Sequence, residues 1–134
     1  MKIIGVGNAL LDVLLSLKSD STLQEMGVEK GAMDLIDESA MKEIQRAQAG
    51  LERTQAPGGS VCNTMRAMAR LGSEVGYVGK IGDDLYGNIY EEAVKKTGVD
   101  PFFVRTQGIS GCSTILVSPD GERTMATFLG PAAT

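Results

Sequence analysis

Short apolar runs alternate with helix-period segments along this chain, and glycines mark most of the boundaries. Lys2 to Gly7 reads as a strand ending in a tight Gly-Val-Gly-Asn turn, and Asp12 to Leu17 as a second short strand. Ser21 to Met26 predicts one or two helical turns stopped by Gly27. Gly31 to Ile36 predicts a strand. Asp37 is placed to cap a helix over Glu38 to Gln48, with Met41 and Ile44 on one face and Gly50 beyond its end. Thr54 to Pro57 is strand-like. Ser60 is placed to cap a helix reaching Leu71, on which Val61, Met65, Met68 and Leu71 share a stripe. Val75 to Val78 predicts a strand, Asp84 to Thr97 a helix closed by Gly98, and Phe102 to Arg105 another strand. Ser113 to Val117 and Arg123 to Phe128 predict a hairpin around Pro119-Asp120-Gly121, where Pro presets φ and Gly supplies a positive one.

Strands alternating with helices imply an α/β domain with a largely parallel sheet. The two early short strands and the late hairpin do not fit simple βαβ winding, so a small second sheet is expected on the main one. Neither an internal repeat nor a low-complexity linker is visible.

Composition narrows the chemistry. The 134 residues are 43% hydrophobic, enough for a core, and no apolar run approaches the length of a membrane span. The chain opens directly on a strand-like run, so no secretion leader is expected. A formal charge of -4, scattered basic residues and the absence of Trp argue against nucleic acid as a partner. With no His, Ser-His-Asp and Cys-His catalysis and His-ligated metals are excluded. Cys62 and Cys112 lack metal-site spacing and read as buried thiols in a reducing cytoplasm. No metal site is expected.

Three glycine-bearing segments carry candidate chemistry. In Gly5-Val6-Gly7-Asn8-Ala9-Leu10-Leu11-Asp12, glycines at a strand end would admit a ligand to the backbone, with Asn8 and Asp12 offering an amide and a carboxylate to hydroxyl groups. On spacing alone a plain turn explains it as well. A dinucleotide fingerprint, and with it an oxidoreductase, fits poorly because Leu10 stands where the third Gly belongs. In Pro57-Gly58-Gly59-Ser60-Val61-Cys62-Asn63-Thr64, two glycines lead into a helix N-terminus whose free N–H groups suit anions or hydroxyls, yet no Lys follows at Walker A spacing. Gly79-Lys80-Ile81-Gly82-Asp83-Asp84-Leu85-Tyr86-Gly87 reads best as a strand end, a glycine turn and an Asp cap.

Taken in order, these segments resemble the ribokinase-like (PfkB) carbohydrate kinase family over essentially the whole chain. The resemblance rests on Gly-Asn-x-x-x-Asp, on Gly-Gly-Ser-x-x-Asn-Thr with its following helix and Leu71-Gly72, on Gly79-x-Ile81-Gly82-x-Asp84-x-x-Gly87, on Gly98-Val99 and on the hairpin from Gly111. Gly-Gly-Ser-x-x-Asn and the Glu122 to Phe128 strand look closer to the adenosine-kinase branch than to ribokinase itself. The resemblance implies a ribokinase-like α/β fold, with residues 1–134 forming the N-terminal substrate-binding part. It also implies a β-sheet lid with strands near 12–17, 31–36 and 112–128. It implies an ATP-dependent phosphotransferase acting on the hydroxymethyl group of a sugar or nucleoside. Asp12 resembles the residue that binds substrate hydroxyls, and Asn8, Gly58, Gly59, Ser60 and Asn63 match the same site. The family's Gly-Ala-Gly-Asp segment, with the catalytic Asp, is absent from these residues. ATP and Mg2+ are therefore expected in a missing C-terminal half, and no catalytic residue in this chain. By itself the chain is expected to be inactive and to self-associate through an exposed sheet edge or the lid. The other reading is a kinase-like module that senses a sugar or nucleoside without phosphorylating it.

Overall fold

Strand pairing divides the protein into two sheets. The structure is a computed structural model and describes residues 1–133. The strands are β1 (Lys2–Val6), β2 (Leu10–Ser16), β3 (Met33–Leu35), β4 (Arg53–Gly58), β5 (Glu74–Gly82), β6 (Asp100–Thr106), β7 (Cys112–Val117) and β8 (Arg123–Phe128). The helices are α1 (Ser21–Met26), α2 (Glu38–Ala47), α3 (Ser60–Arg70) and α4 (Leu85–Lys96), with a final 3-10 turn at Gly130–Ala133. One sheet has the order β1-β5-β6 and is wholly parallel; the other has the order β3-β8-β7-β2-β4 and is mixed. In the mixed sheet β2 runs parallel to β7 and β3 to β8, while β2–β4 and the β7–β8 hairpin are antiparallel. The expected second sheet is present, and β4 extends it.

Strand alternation decides what is buried. On the mixed sheet Leu11, Val13, Leu15, Cys112, Thr114, Leu116, Thr124 and Ala126 point into the core. The parallel sheet turns Val75, Tyr77 and Ile81 toward α3 and α4, whose Cys62, Met65, Tyr90 and Val94 complete the layer. Tyr77, Tyr90 and Phe103 form one ring cluster there, with centroids 5.4 to 6.5 Å apart. Burying side chains of this size contributes about 1.5–3 kcal/mol each.

The opposite face of the parallel sheet is bare. Ile4, Val6, Phe102 and Val104 are all about half exposed or more, and the register sets them side by side around Gly76 and Val78. Lys2 closes one end of this face by pairing with Asp100 and lying 5.3 Å above the Phe102 ring. Parallel sheets are normally covered on both faces; this one is covered on one.

Several local expectations are corrected. Ser60 does not cap α3: Gly59 is the N-cap at φ 96, no side chain caps the helix, and Ser60 is its first residue. Leu71 is 87% exposed, because it sits at the C-cap where the chain turns away from the stripe. Met65, on the same stripe, is buried, since α3 packs on β1 at Gly5, where a Cβ would come within 2.9 Å of Met65. Strand β5 does not stop at Val78 but continues through Gly82. Gly79 and Gly82 are small because other backbone closes on them: a Cβ on Gly82 would lie 2.7 Å from the Ser110 nitrogen.

Candidate functional site

Strand β2 follows β1 after only Gly7, Asn8 and Ala9, so Asp12 is carried straight from one sheet into the other. It pairs with Ala56 on β4 and Ser113 on β7. Since Leu11 and Val13 point inward, Asp12 points to the other face, half-buried between Leu10 and Leu14. Its carboxylate rests on Gly58: a Cβ there would overlap the carboxyl group, within 2.5 Å of Oδ2. It accepts no hydrogen bond from the described residues. Burial pushes its pKa above the usual carboxylate range, and the charge of Arg123 opposes that rise. A carboxylate with partly stripped hydration and free lone pairs is suited to accept hydrogen bonds from ligand hydroxyls.

The Pro57-Gly58-Gly59 segment is tied down at three successive carbonyls. Arg66 Nη1 donates to Pro57 O at 3.2 Å, the Tyr90 hydroxyl donates to Gly58 O at 2.9 Å, and the Asn63 amide donates to Gly59 O at 3.0 Å. Gly59 is required twice over. Its φ is positive, and a Cβ would lie 2.6 Å from the carbonyl oxygen of Asn8. With glycine at the N-cap, the first amides of α3 receive no side-chain acceptor from it.

The structure therefore brings Asp12 onto Gly58, and the backbone of Asn8 against Gly59. Ser60 and Asn63 lie exposed on the first turn of α3. The Asn63 side chain has no described hydrogen bond to Asp12; it lines a shallow groove of about 190 Å³ with Arg66, Ala67 and Arg70 on the outer stripe of the helix. Gly5 and Gly7 serve packing, because a Cβ on either would lie 2.7 Å from Val61. The third glycine-rich segment is structural as well. Asp84 caps α4 by accepting from the Gly87 amide at 2.9 Å, and also accepts from the Ser110 hydroxyl and amide at 2.7 and 3.1 Å.

Two features were not anticipated from the sequence. Arg123 shares the outward face with Asp12, since it lies on β8 in phase with Met125 and Thr127, whose partners Ile115 and Ser113 are in phase with Asp12. Apart from Thr54 and the mutually hydrogen-bonded Ser113 and Thr127, that face is apolar: Leu10, Leu14, Ala56 and Met125 are half-buried, and Met33 and Leu35 exposed. The signal was in β2 itself, whose Leu-Leu-Asp-Val-Leu-Leu is apolar at both parities and so requires cover on both faces. Among the described residues no group of three or more His, Cys, Asp or Glu could hold a metal ion, and no helix is long and apolar enough to cross a membrane. Cys62 and Cys112 are free and buried.

Against known proteins, residues 31–134 match the pfkB family carbohydrate kinase profile. A fructokinase of Klebsiella pneumoniae is 35% identical over 81 residues, covering 59% of this chain and 26% of that protein. Among solved structures, the adenosine kinase of Sinorhizobium meliloti superposes with a TM-score of 0.84 at 34% identity, over 98% of this chain and 40% of that one. A probable sugar kinase from Rhizobium etli gives 0.85 at 30% identity, over 98% and 39%. The chain thus spans about a quarter of that curated relative and about two fifths of the solved ones, and within that span it has their ribokinase-like α/β fold. Family profile, sequence relative and superposed structures agree: this chain belongs to the pfkB family of carbohydrate kinases.

Proposed function

We propose that this chain is the substrate-binding part of an ATP-dependent phosphotransferase acting on the hydroxymethyl group of a sugar or nucleoside. The observation that carries the reading is Asp12: a half-buried carboxylate without a hydrogen-bond donor among the described residues, seated on Gly58 beside the uncapped start of α3. It would accept the substrate's vicinal hydroxyls, with Asn8, Gly59, Ser60 and Asn63 around it. The apolar face formed by Leu10, Leu14, Ala56 and Met125 favours a ligand with a flat apolar portion, which a nucleoside has and a free sugar lacks.

ATP and Mg2+ do not fit the residues present. No described cluster suits a metal, and the Gly58-Gly59 segment has no following Lys to meet a phosphate. No phosphoryl-transfer step is therefore assigned to this chain. These 134 residues also lack the Gly-Ala-Gly-Asp segment, so alone they should turn over no ATP. The two buried, free thiols suit a reducing, cytoplasmic setting.

Calorimetric titration of the chain with adenosine, fructose and ribose tests the reading. Adenosine should bind best, and Asp12→Asn should weaken it by about 10- to 100-fold, the worth of hydrogen bonds to a charged group. Equal affinity in the variant, or no binding of any of the three, would overturn the assignment. Sugar- or nucleoside-dependent ATP turnover by these 134 residues would overturn the expected inactivity.

A further inference from the structure

Beneath the Gly58-Gly59 segment lies a buried polar group that the proposed site does not itself use. Tyr90 on α4 is 1% exposed, and its hydroxyl donates to the Gly58 carbonyl at 2.9 Å. The Tyr77 hydroxyl is 3.5 Å from that of Tyr90. Burial holds the Tyr90 phenol far above its ordinary pKa, so it remains a neutral donor. The ring is fixed by its packing on Tyr77 and Phe103.

The direction of this bond matters. Gly58 and Gly59 have no side chains to orient their peptide planes, and glycine is the residue with the widest choice of φ and ψ. Something outside the segment has to choose. Tyr90 turns the Gly58 carbonyl inward, and the same rotation points the N–H of Gly59, across the same peptide plane, the opposite way. Arg66 holds the preceding carbonyl, at Pro57, from α3. The surface on which Asp12 rests is thus oriented by α3 and α4 in addition to the pairing of β4 with β2.

We infer that Tyr90 is a positioning residue, which sets the orientation of the Gly58–Gly59 peptide under the Asp12 carboxylate. This rests on the reading above only in taking that surface to be where substrate binds. The orienting role itself concerns the protein alone.

Amide hydrogen exchange of the intact chain, compared between wild type, Tyr90→Phe and Tyr77→Phe, tests it. Tyr90→Phe should speed exchange at Asn63, whose amide donates to the Gly59 carbonyl, by about tenfold or more, while Val75 and Ile81 in β5 change much less. Tyr77→Phe removes a hydroxyl with no described hydrogen bond to Gly58 and should leave exchange at Asn63 nearly unchanged. A uniform acceleration in Tyr90→Phe, including β5, would mean the hydroxyl only supports global stability and would overturn the inference. So would no local change at all. If the wild-type chain binds adenosine, Tyr90→Phe should also raise its Kd several-fold at a temperature where both proteins are folded, and an unchanged Kd would sink the link to the site. If it binds none of the candidate substrates, the functional reading fails while the exchange result still decides the orienting role.

Discussion

The Asp12 carboxylate occupies the space that a side chain on Gly58 would fill, although 46 residues separate the two in sequence. The obstructing atoms belong to the end of a side chain, which can rotate. Gly58→Ala should therefore cost little stability, about 1 kcal/mol or less, but should displace Asp12 and weaken substrate binding about tenfold or more. At Gly82 the obstruction is the backbone of Gly108 and Ser110, which cannot rotate away. Gly82→Ala should accordingly lose about 1–3 kcal/mol. Chemical denaturation of both variants, with titration of adenosine into Gly58→Ala, checks the contrast.

Asp12 should titrate above the usual range for a carboxylate, because burial disfavours its charge more than Arg123 favours it. A raised carboxyl pKa means the folded protein holds its proton more tightly than the unfolded chain does. Ionised Asp12 is therefore a burden on the fold at neutral pH, relieved as pH falls through the raised value. Asp12→Asn should melt at the same temperature as wild type or higher at pH 7, with the gap closing on acidification. Substrate binding should move the other way and weaken over the same window. Arg123→Gln should raise the Asp12 midpoint further, as followed by carboxyl-carbon NMR.

The cap of α4 is the most exposed to single substitutions. Asp84→Ala removes the acceptor for the Gly87 amide and for both donors of Ser110, which is 1% exposed. Loss of an N-cap together with a buried partner should cost about 2–3 kcal/mol. Asp84→Asn keeps an acceptor and should cost less, as urea denaturation would show.

Lys30 joins the start of α1 to the β7–β8 turn through Asp20 and Asp120, at 2.8 and 2.6 Å. Its ammonium group holds both carboxyls below their ordinary pKa, so the support they give is present above about pH 4 and is lost as pH falls through the lowered values. Lys30→Met should remove that acid-dependent component, and the two proteins should converge in stability at lower pH. Because the groups are exposed, raised salt should shrink the difference as well.

The uncovered face of β1-β5-β6 should make the isolated chain self-associate, since a contiguous patch of Ile4, Val6, Phe102 and Val104 faces water. Sedimentation should show concentration-dependent association that Val104→Lys suppresses. A wild-type monomer at all concentrations would refute this.

Where a structural cause lies within a few residues, the sequence announces it. Ser21–Met26 and its Gly27 stop, the caps at Asp37 and Asp84, and the hairpin at Pro119-Asp120-Gly121 all depend on local turn and cap chemistry. Where the cause is distant, local reading misassigns it. Gly79 and Gly82 look like strand breakers, but they stay in β5 and are small because segments far along the chain press on them. Asp12 was identifiable as a candidate through its motif. Its seat on Gly58, the neighbouring charge of Arg123 and the anchoring of Gly58 by Tyr90 depend on pairings between residues 32 to 111 positions apart, which no local pattern encodes.

The link between the sheets is three residues long and has no slack. The Gly7 amide donates to Val78 O at 3.2 Å, and a Cβ on Gly79 would lie 3.1 Å from Gly7 O and 3.3 Å from Ala9. Asp12, Gly58 and Arg123 all ride on strands of the mixed sheet. If that sheet rocks, α3 and α4 hold its Gly58 corner, and it carries Asp12 and Arg123 as one plate pivoting about residues 7–9 and Gly58. Their spacing to one another stays constant, and only their distance to α3 and the parallel sheet changes. The acidic group and its neighbours would then behave as a single jaw, with the first turn of α3 as its stationary counterpart.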